Sequence, residues 1–179
     1  MKMRFVVLAV AVLIAWGLKR HYADARADDL GWILSPTARL VGVMAGTSFV
    51  PQPGEGYVSR ERLFLIEKSC AGVNFMVAAF GMLMLAFVPR VTSGVSAARV
   101  LGGSLLGSYA AAVVINAVRI AIAIWLATRP VALSTVSAAD VHRLEGIAVY
   151  FAGLVLLHEV ARRLVRGAAP VGRRSSIVA

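Results

Sequence analysis

One cysteine, three histidines and nine acidic side chains are all that the 179 residues offer of the groups that usually carry metals or nucleophilic chemistry. A single thiol permits neither an internal disulfide nor a paired-cysteine metal site. No HExxH or comparable ligand spacing occurs, which argues against a metal-dependent membrane hydrolase. Charge is scarce too: 16% of residues are charged and 59% hydrophobic, with a mean hydropathy of +0.79, outside the range of soluble domains. The pattern predicts an all-α, polytopic membrane bundle of about four to five transmembrane helices. Residues 1–166 form one membrane-embedded domain, and 167–179 form a basic tail expected to be disordered.

The net charge of +10 is not a nucleic-acid signature, because many of the Lys and Arg residues flank apolar runs, where they orient helices. Phe5 to Leu18 reads as a first helix, and Lys19, Arg20 and His21 do not look like a signal-peptidase site. Leu30 to Val50 is interrupted by Pro36 and Arg39. A helix over Thr37 to Phe49, with Pro36 in its early turns, would lie at the interface or dip into the bundle. Pro51 to Gly56 is a loop, and Tyr57 to Ile66 suits a short extended piece. Ala71 to Val88 has no ionisable side chain and reads as a spanning helix closed by Pro89. Val91 to Arg99 is a connection, Val100 to Leu126 a second long apolar run, and Thr128 to Asp140 a second connection. Ser137 to Asp140 fits a helix-start pattern for a last helix through Leu144 to Val160, stopping at Arg162.

If Met1 to Arg4 is inside and Leu30 to Val50 does not cross, then 89–99 and 162–179 are also inside. Those inside segments hold nine of the nineteen Lys and Arg in far fewer residues, a density about twice that of the outside segments, as the positive-inside rule requires. Cys70 then sits on the outer side, where charge gives way to apolar sequence. A helix N-terminus and the neighbouring Lys68 both favour a nucleophilic sulfur there. Arg119 lies twenty residues beyond Arg99, or about 30 Å along a helix, at the same outer boundary. His142, at the start of the last helix, reaches that level as well. His158 is about 24 Å deeper, while His21 is a geometric competitor.

Singly, each residue has an ordinary reading. Cys70 packs as a small apolar group, Arg119 snorkels or pairs with Asp140 or Glu145, Asn74 bridges helices, and His142 is an interfacial histidine. Together they supply a nucleophile, a charge stabiliser and a proton shuttle, with Asn116 one turn from Arg119. The competing reading is a non-enzymatic assembly subunit or small transporter, with Asn116 and Arg119 lining a polar path.

Three motifs in order, Glu67-Lys68-Ser69-Cys70-Ala71-Gly72-Val73-Asn74-Phe75, Asn116-Ala117-Val118-Arg119-Ile120 and His142-Arg143-Leu144-Glu145-Gly146, resemble those of the exosortase/archaeosortase membrane transpeptidases. The resemblance is closest to the short form, exosortase K, and covers Leu30 to Phe151. Ala71 stands where many members have serine. The resemblance implies a cysteine peptidase or transpeptidase with Cys70 as nucleophile and Arg119 and His142 as partners. Asn74, Asn116 and Glu145 are supporting candidates, and no cofactor or metal is required. The implied partner is the C-terminal sorting-signal tail of exported proteins, of the PEP-CTERM kind, presented in membrane lipid. The implied location is the outer face of the bacterial plasma membrane.

Overall fold

The structure, a computed structural model, describes residues 1–127 and 138–167, without the side chains at 138, 139, 141 and 142. The chain is predominantly helical. α1 (Lys2–Asp24) is followed by α2 (Gly31–Ala45), then by three short strands, β1 (Val50–Gln52), β2 (Gly56–Ser59) and β3 (Phe64–Ile66). A 3-10 turn over Lys68–Ala71 leads into α3 (Val73–Phe87), and a long α4 (Gly94–Ala127) and α5 (Ala138–Gly167) complete the fold.

Among the described residues, three stretches are long and apolar enough to cross a membrane: Lys68–Arg90, Gly94–Ala127 and Arg143–Gly167. The outward faces of the helices agree with lipid contact, because Phe5, Trp16, Leu85, Leu106, Phe151 and Leu156 are all exposed. α1 is not among these three stretches, and α2, at fifteen residues and about 22 Å, is too short to cross.

Small residues let the helices approach closely. On α4, Ser104, Ser108, Ala112 and Ala117 are buried, and Gly107 faces Leu83 of α3. A methyl on Gly153 of α5 would lie 2.8 Å from Cγ2 of Ile115, so α5 sits against α4 only because that position is bare. The core has two ends. Val7 and Ala11 of α1 meet Phe80 and Met84 of α3 and Ala97 of α4 at one end; at the other, Ile33, Leu34 and Val41 of α2 pack with Ile66, Val73, Met76 and Ile120.

The strands form an antiparallel sheet in the order β1-β2-β3, pairing Val50 with Val58 and Val58 with Leu65. Pro51, which has no N–H, lies on the edge strand. The β1–β2 turn is tied down by Asp28, whose carboxylate accepts the Gly54 N–H at 2.9 Å. This sheet is an addition to the otherwise all-α architecture, and its last strand delivers the chain to Cys70.

Several boundaries differ from those read in the sequence, α1 among them, which runs over Lys2–Asp24 rather than Phe5 to Leu18. α2 starts at Gly31, so Pro36 falls inside it. The proline withholds an N–H from the carbonyl of Trp32, one turn earlier, and the Tyr109 hydroxyl of α4 donates to that oxygen instead at 2.8 Å. α3 begins at Val73 rather than at Ala71, since Gly72 adopts a left-handed φ of 70° and sets the Cys70 turn apart from the helix. α4 begins at Gly94, because Ser93 and Ser96 cap it reciprocally: Ser93 N–H donates to Ser96 Oγ at 2.8 Å and Ser96 N–H to Ser93 Oγ at 3.3 Å. α5 continues past Arg162 to Gly167, where Glu159 pairs with Arg162 and Arg163 across one turn at 2.7 and 3.0 Å. The Thr128–Ser137 part of the second connection, the Ser137 cap and the tail from 168 onward lie outside the described residues.

Candidate active site

Cys70 occupies the 3-10 turn between β3 and α3, where it is partly exposed and its N–H donates to the Glu67 carbonyl at 2.9 Å. Its sulfur lies 3.8 Å from Ser69 Oγ, and that hydroxyl donates to Glu67 at 2.6 Å. Gly72 makes the turn possible twice over. Its backbone is left-handed, and a methyl there would come within 3.1 Å of Cγ of Asn116. The turn is thereby pressed against the middle of α4.

Asn116 is fully buried and joins three parts of the molecule. Its amide nitrogen donates to the carbonyl of Cys70, while its oxygen accepts the Arg119 Nε–H at 3.3 Å and the Tyr150 hydroxyl at 2.8 Å. Arg119 is only 8% exposed, so its charge is removed from water and must be compensated by what surrounds it. Besides Asn116, the guanidinium carbon stands 5.3 Å from the centre of the Tyr150 ring, a cation–π contact. Tyr150 is itself held by Phe75 of α3, with ring centres 5.3 Å apart. Gly146, one turn before Tyr150, packs against the arginine: a methyl there would sit in ordinary contact, 3.5 Å from Nη1. Glu145 is close enough to Arg119 to feel its charge.

The structure therefore brings Cys70, Asn116 and Arg119 together and adds Tyr150, which sequence reasoning missed. Its signal was present as spacing, since Gly146 and Tyr150 fall at i and i+4 on one face of α5. Asn74 does not join them. Its Oδ1 accepts a hydrogen bond from Lys19 at 2.6 Å, so it ties α3 to α1, because the left-handed Gly72 breaks the helical register between residues 70 and 74. His142 lies one turn into α5 and one turn before Gly146; its side chain is outside the described residues.

At the mouth of the site, Tyr22 of α1 donates to the Lys68 carbonyl at 3.4 Å, and the Lys68 ammonium stands 5.2 Å from the centre of its ring. The arrangement holds a partly exposed cysteine by its backbone to the same asparagine that bonds a buried arginine. Among the described residues no group of three or more His, Cys, Asp or Glu is placed to hold a metal. Set against protein-family models, curated proteins and solved structures, the chain finds no match in any of the three, and the site rests on its own residues and geometry.

Proposed function

We propose that the protein is a membrane-embedded cysteine peptidase or transpeptidase of the exosortase kind, acting on the C-terminal sorting tail of exported proteins at the outer face of the bacterial plasma membrane. The observation that carries this reading is the single Asn116 side chain that holds both the Cys70 carbonyl and Arg119. A cysteine that merely packed would not need its backbone fixed to an arginine buried at a cost of several kcal/mol.

In the proposed reaction the Cys70 thiolate attacks the scissile carbonyl and forms a C–S bond. Arg119 stabilises the oxyanion, the C–N bond breaks, and the leaving amine takes a proton from His142. Water or an acceptor amine then attacks the thioester and releases the thiol. No metal or organic cofactor enters these steps.

Four spans with both termini inside fit this reading. Arg4 reaches the carbonyl of Pro89 at 2.7 Å and Lys19 reaches Asn74, so α1 runs beside α3 over its whole length and crosses wherever α3 crosses. The transporter alternative has less support, because Asn116 is buried with both its polar atoms engaged and lines no open path.

The test is cleavage of a tail-bearing substrate in membranes with matched enzyme levels. Cys70→Ala and His142→Ala are expected to abolish cleavage, while His158→Ala stays near the parent because it lies about 24 Å deeper. Full activity in Cys70→Ala would overturn the reading; loss in His21→Ala with survival of His142→Ala would transfer the proton role to His21.

A further inference from the structure

The outer half of α4 has a second face, turned away from Tyr150. There Val118, Ala121, Ile122 and Trp125 line a cleft of about 340 Å³, closed by Met44 at the end of α2 and by Arg62 in the β2–β3 turn. Among the described residues, Arg62 is the only ionisable side chain in the lining. The rim is built rather than loose: Arg62 Nη2 donates to the Ala45 carbonyl at 3.2 Å, its N–H to Ser59 Oγ at 3.4 Å, and Thr47 donates to Glu61 at 2.7 Å. Arg62 as a whole is an exposed residue.

The surroundings of the cleft are unsuited to water. Val43 is 82% exposed and Leu63 91% exposed. Leu63 also has a φ of 50°, the one positive φ outside glycine among the described residues. Holding a leucine in that conformation presents an apolar side chain outward at a cost. Depth places the cleft at the lipid boundary, since its α4 residues flank Arg119, about 30 Å along the helix from Arg99 and so one hydrocarbon thickness away. Trp125 stands where an interfacial aromatic belt is expected.

We propose that this cleft binds a membrane phospholipid, with one acyl chain along Val118, Ile122 and Trp125 and the phosphate on Arg62. The lining calls for a ligand with one anionic group on a long apolar body. A transmembrane helix, about 10 Å across with its side chains, is too wide for the cavity. An extended peptide would press its N–H and C=O groups against apolar walls, whereas an acyl chain brings none. The assignment does not depend on the catalytic reading, and either can fail alone.

The full chain, purified in a neutral maltoside detergent and delipidated stepwise, is examined by native mass spectrometry, then titrated with phosphatidylglycerol, with diacylglycerol of the same chains, and with inorganic phosphate. Phosphatidylglycerol is expected to bind and raise the melting temperature, while diacylglycerol and inorganic phosphate bind far more weakly. Arg62→Gln should weaken phosphatidylglycerol by about tenfold or more, the usual scale for losing a charged hydrogen-bond partner, and Arg62→Lys by less. Ala121→Phe, which fills the cleft, should exclude the lipid. Equal affinity for diacylglycerol, or unchanged binding in both Arg62→Gln and Ala121→Phe, overturns the proposal. So does a photo-crosslinker at Ile122 that captures peptide and no lipid in cell membranes.

Discussion

Asn116 has one amide and three obligations, and the consequences of replacing it differ from those of replacing either neighbour. Asn116→Leu leaves the Cys70 carbonyl and the Tyr150 hydroxyl without this partner in a partly buried place. Each such orphan costs about 1–3 kcal/mol, so a clear drop in melting temperature in detergent is expected together with lost turnover. Arg119→Lys separates charge from geometry. If Arg119 only anchored a helix end by snorkelling, lysine would serve equally well. A planar fork holding an oxyanion is not replaced by a point charge, and turnover is expected to fall about 100-fold or more while insertion stays normal. Activity within a few fold of the parent would reduce Arg119 to an anchor. Cys70, Asn116 and Arg119 were legible in the sequence because each is a polar exception in or beside an apolar run. Tyr150 was not, since a tyrosine in a membrane helix carries no hydropathy signal, and its role comes from partners on α3 and α4. Nor was the true partner of Asn74, because Lys19 lies far away in the chain and only packing brings it close.

Between residue and molecule, two glycines set how the elements meet. Gly72 is the joint that lets a strand-fed turn, rather than a helix, present Cys70 to α4. Gly72→Ala forces an L-residue into a left-handed backbone, at about 1–2 kcal/mol, and pushes a methyl toward Asn116. Gly153→Leu would instead drive α5 away from Ile115 while leaving the Cys70 turn untouched. Cysteine cross-linking between α4 and α5 should fall in Gly153→Leu but persist in Gly72→Ala. Thiol alkylation should show the reverse sensitivity, and identical behaviour of the two variants would refute this division. The long helices were legible as uncharged runs closed by proline or charge. Their ends were not, because the serine pair at 93 and 96 and the Glu159 pairs extend α4 and α5 into polar sequence by side-chain bonding that hydropathy does not weigh. Pro36 likewise looked like a helix start until Tyr109 supplied the hydrogen bond that the proline withholds.

At the scale of the whole molecule, contacts between distant segments define two levels. Arg4 bonds to the carbonyls of Pro89 and Val91, and Arg90 to those of Leu164 and Val165 at 3.0 and 2.6 Å, so the N-terminus, the α3–α4 connection and the end of α5 share one end. Lys19, Tyr22, Lys68 and Cys70 share the other. The same grouping follows from the density of Lys and Arg along the chain, an independent line of argument because it uses no contact. In the proposed orientation, the end with the denser Lys and Arg is the inner one, as the positive-inside rule expects. In a Cys70→Ala background, cysteines placed at Thr92 and Ser175 should resist an impermeant maleimide in intact cells and react once the membrane is opened. A cysteine at Glu55, in the β1–β2 turn, should react in both. Thr92 is preferable to Ser96 as a reporter, since Ser96 accepts the N–H groups that cap α4 and its loss would disturb the helix under test. Strong labelling at Thr92 in intact cells would invert the molecule, carrying Cys70, Arg119 and α5's first turn to the inside together. The site would stay assembled, but exported tails would no longer meet it on the outer face.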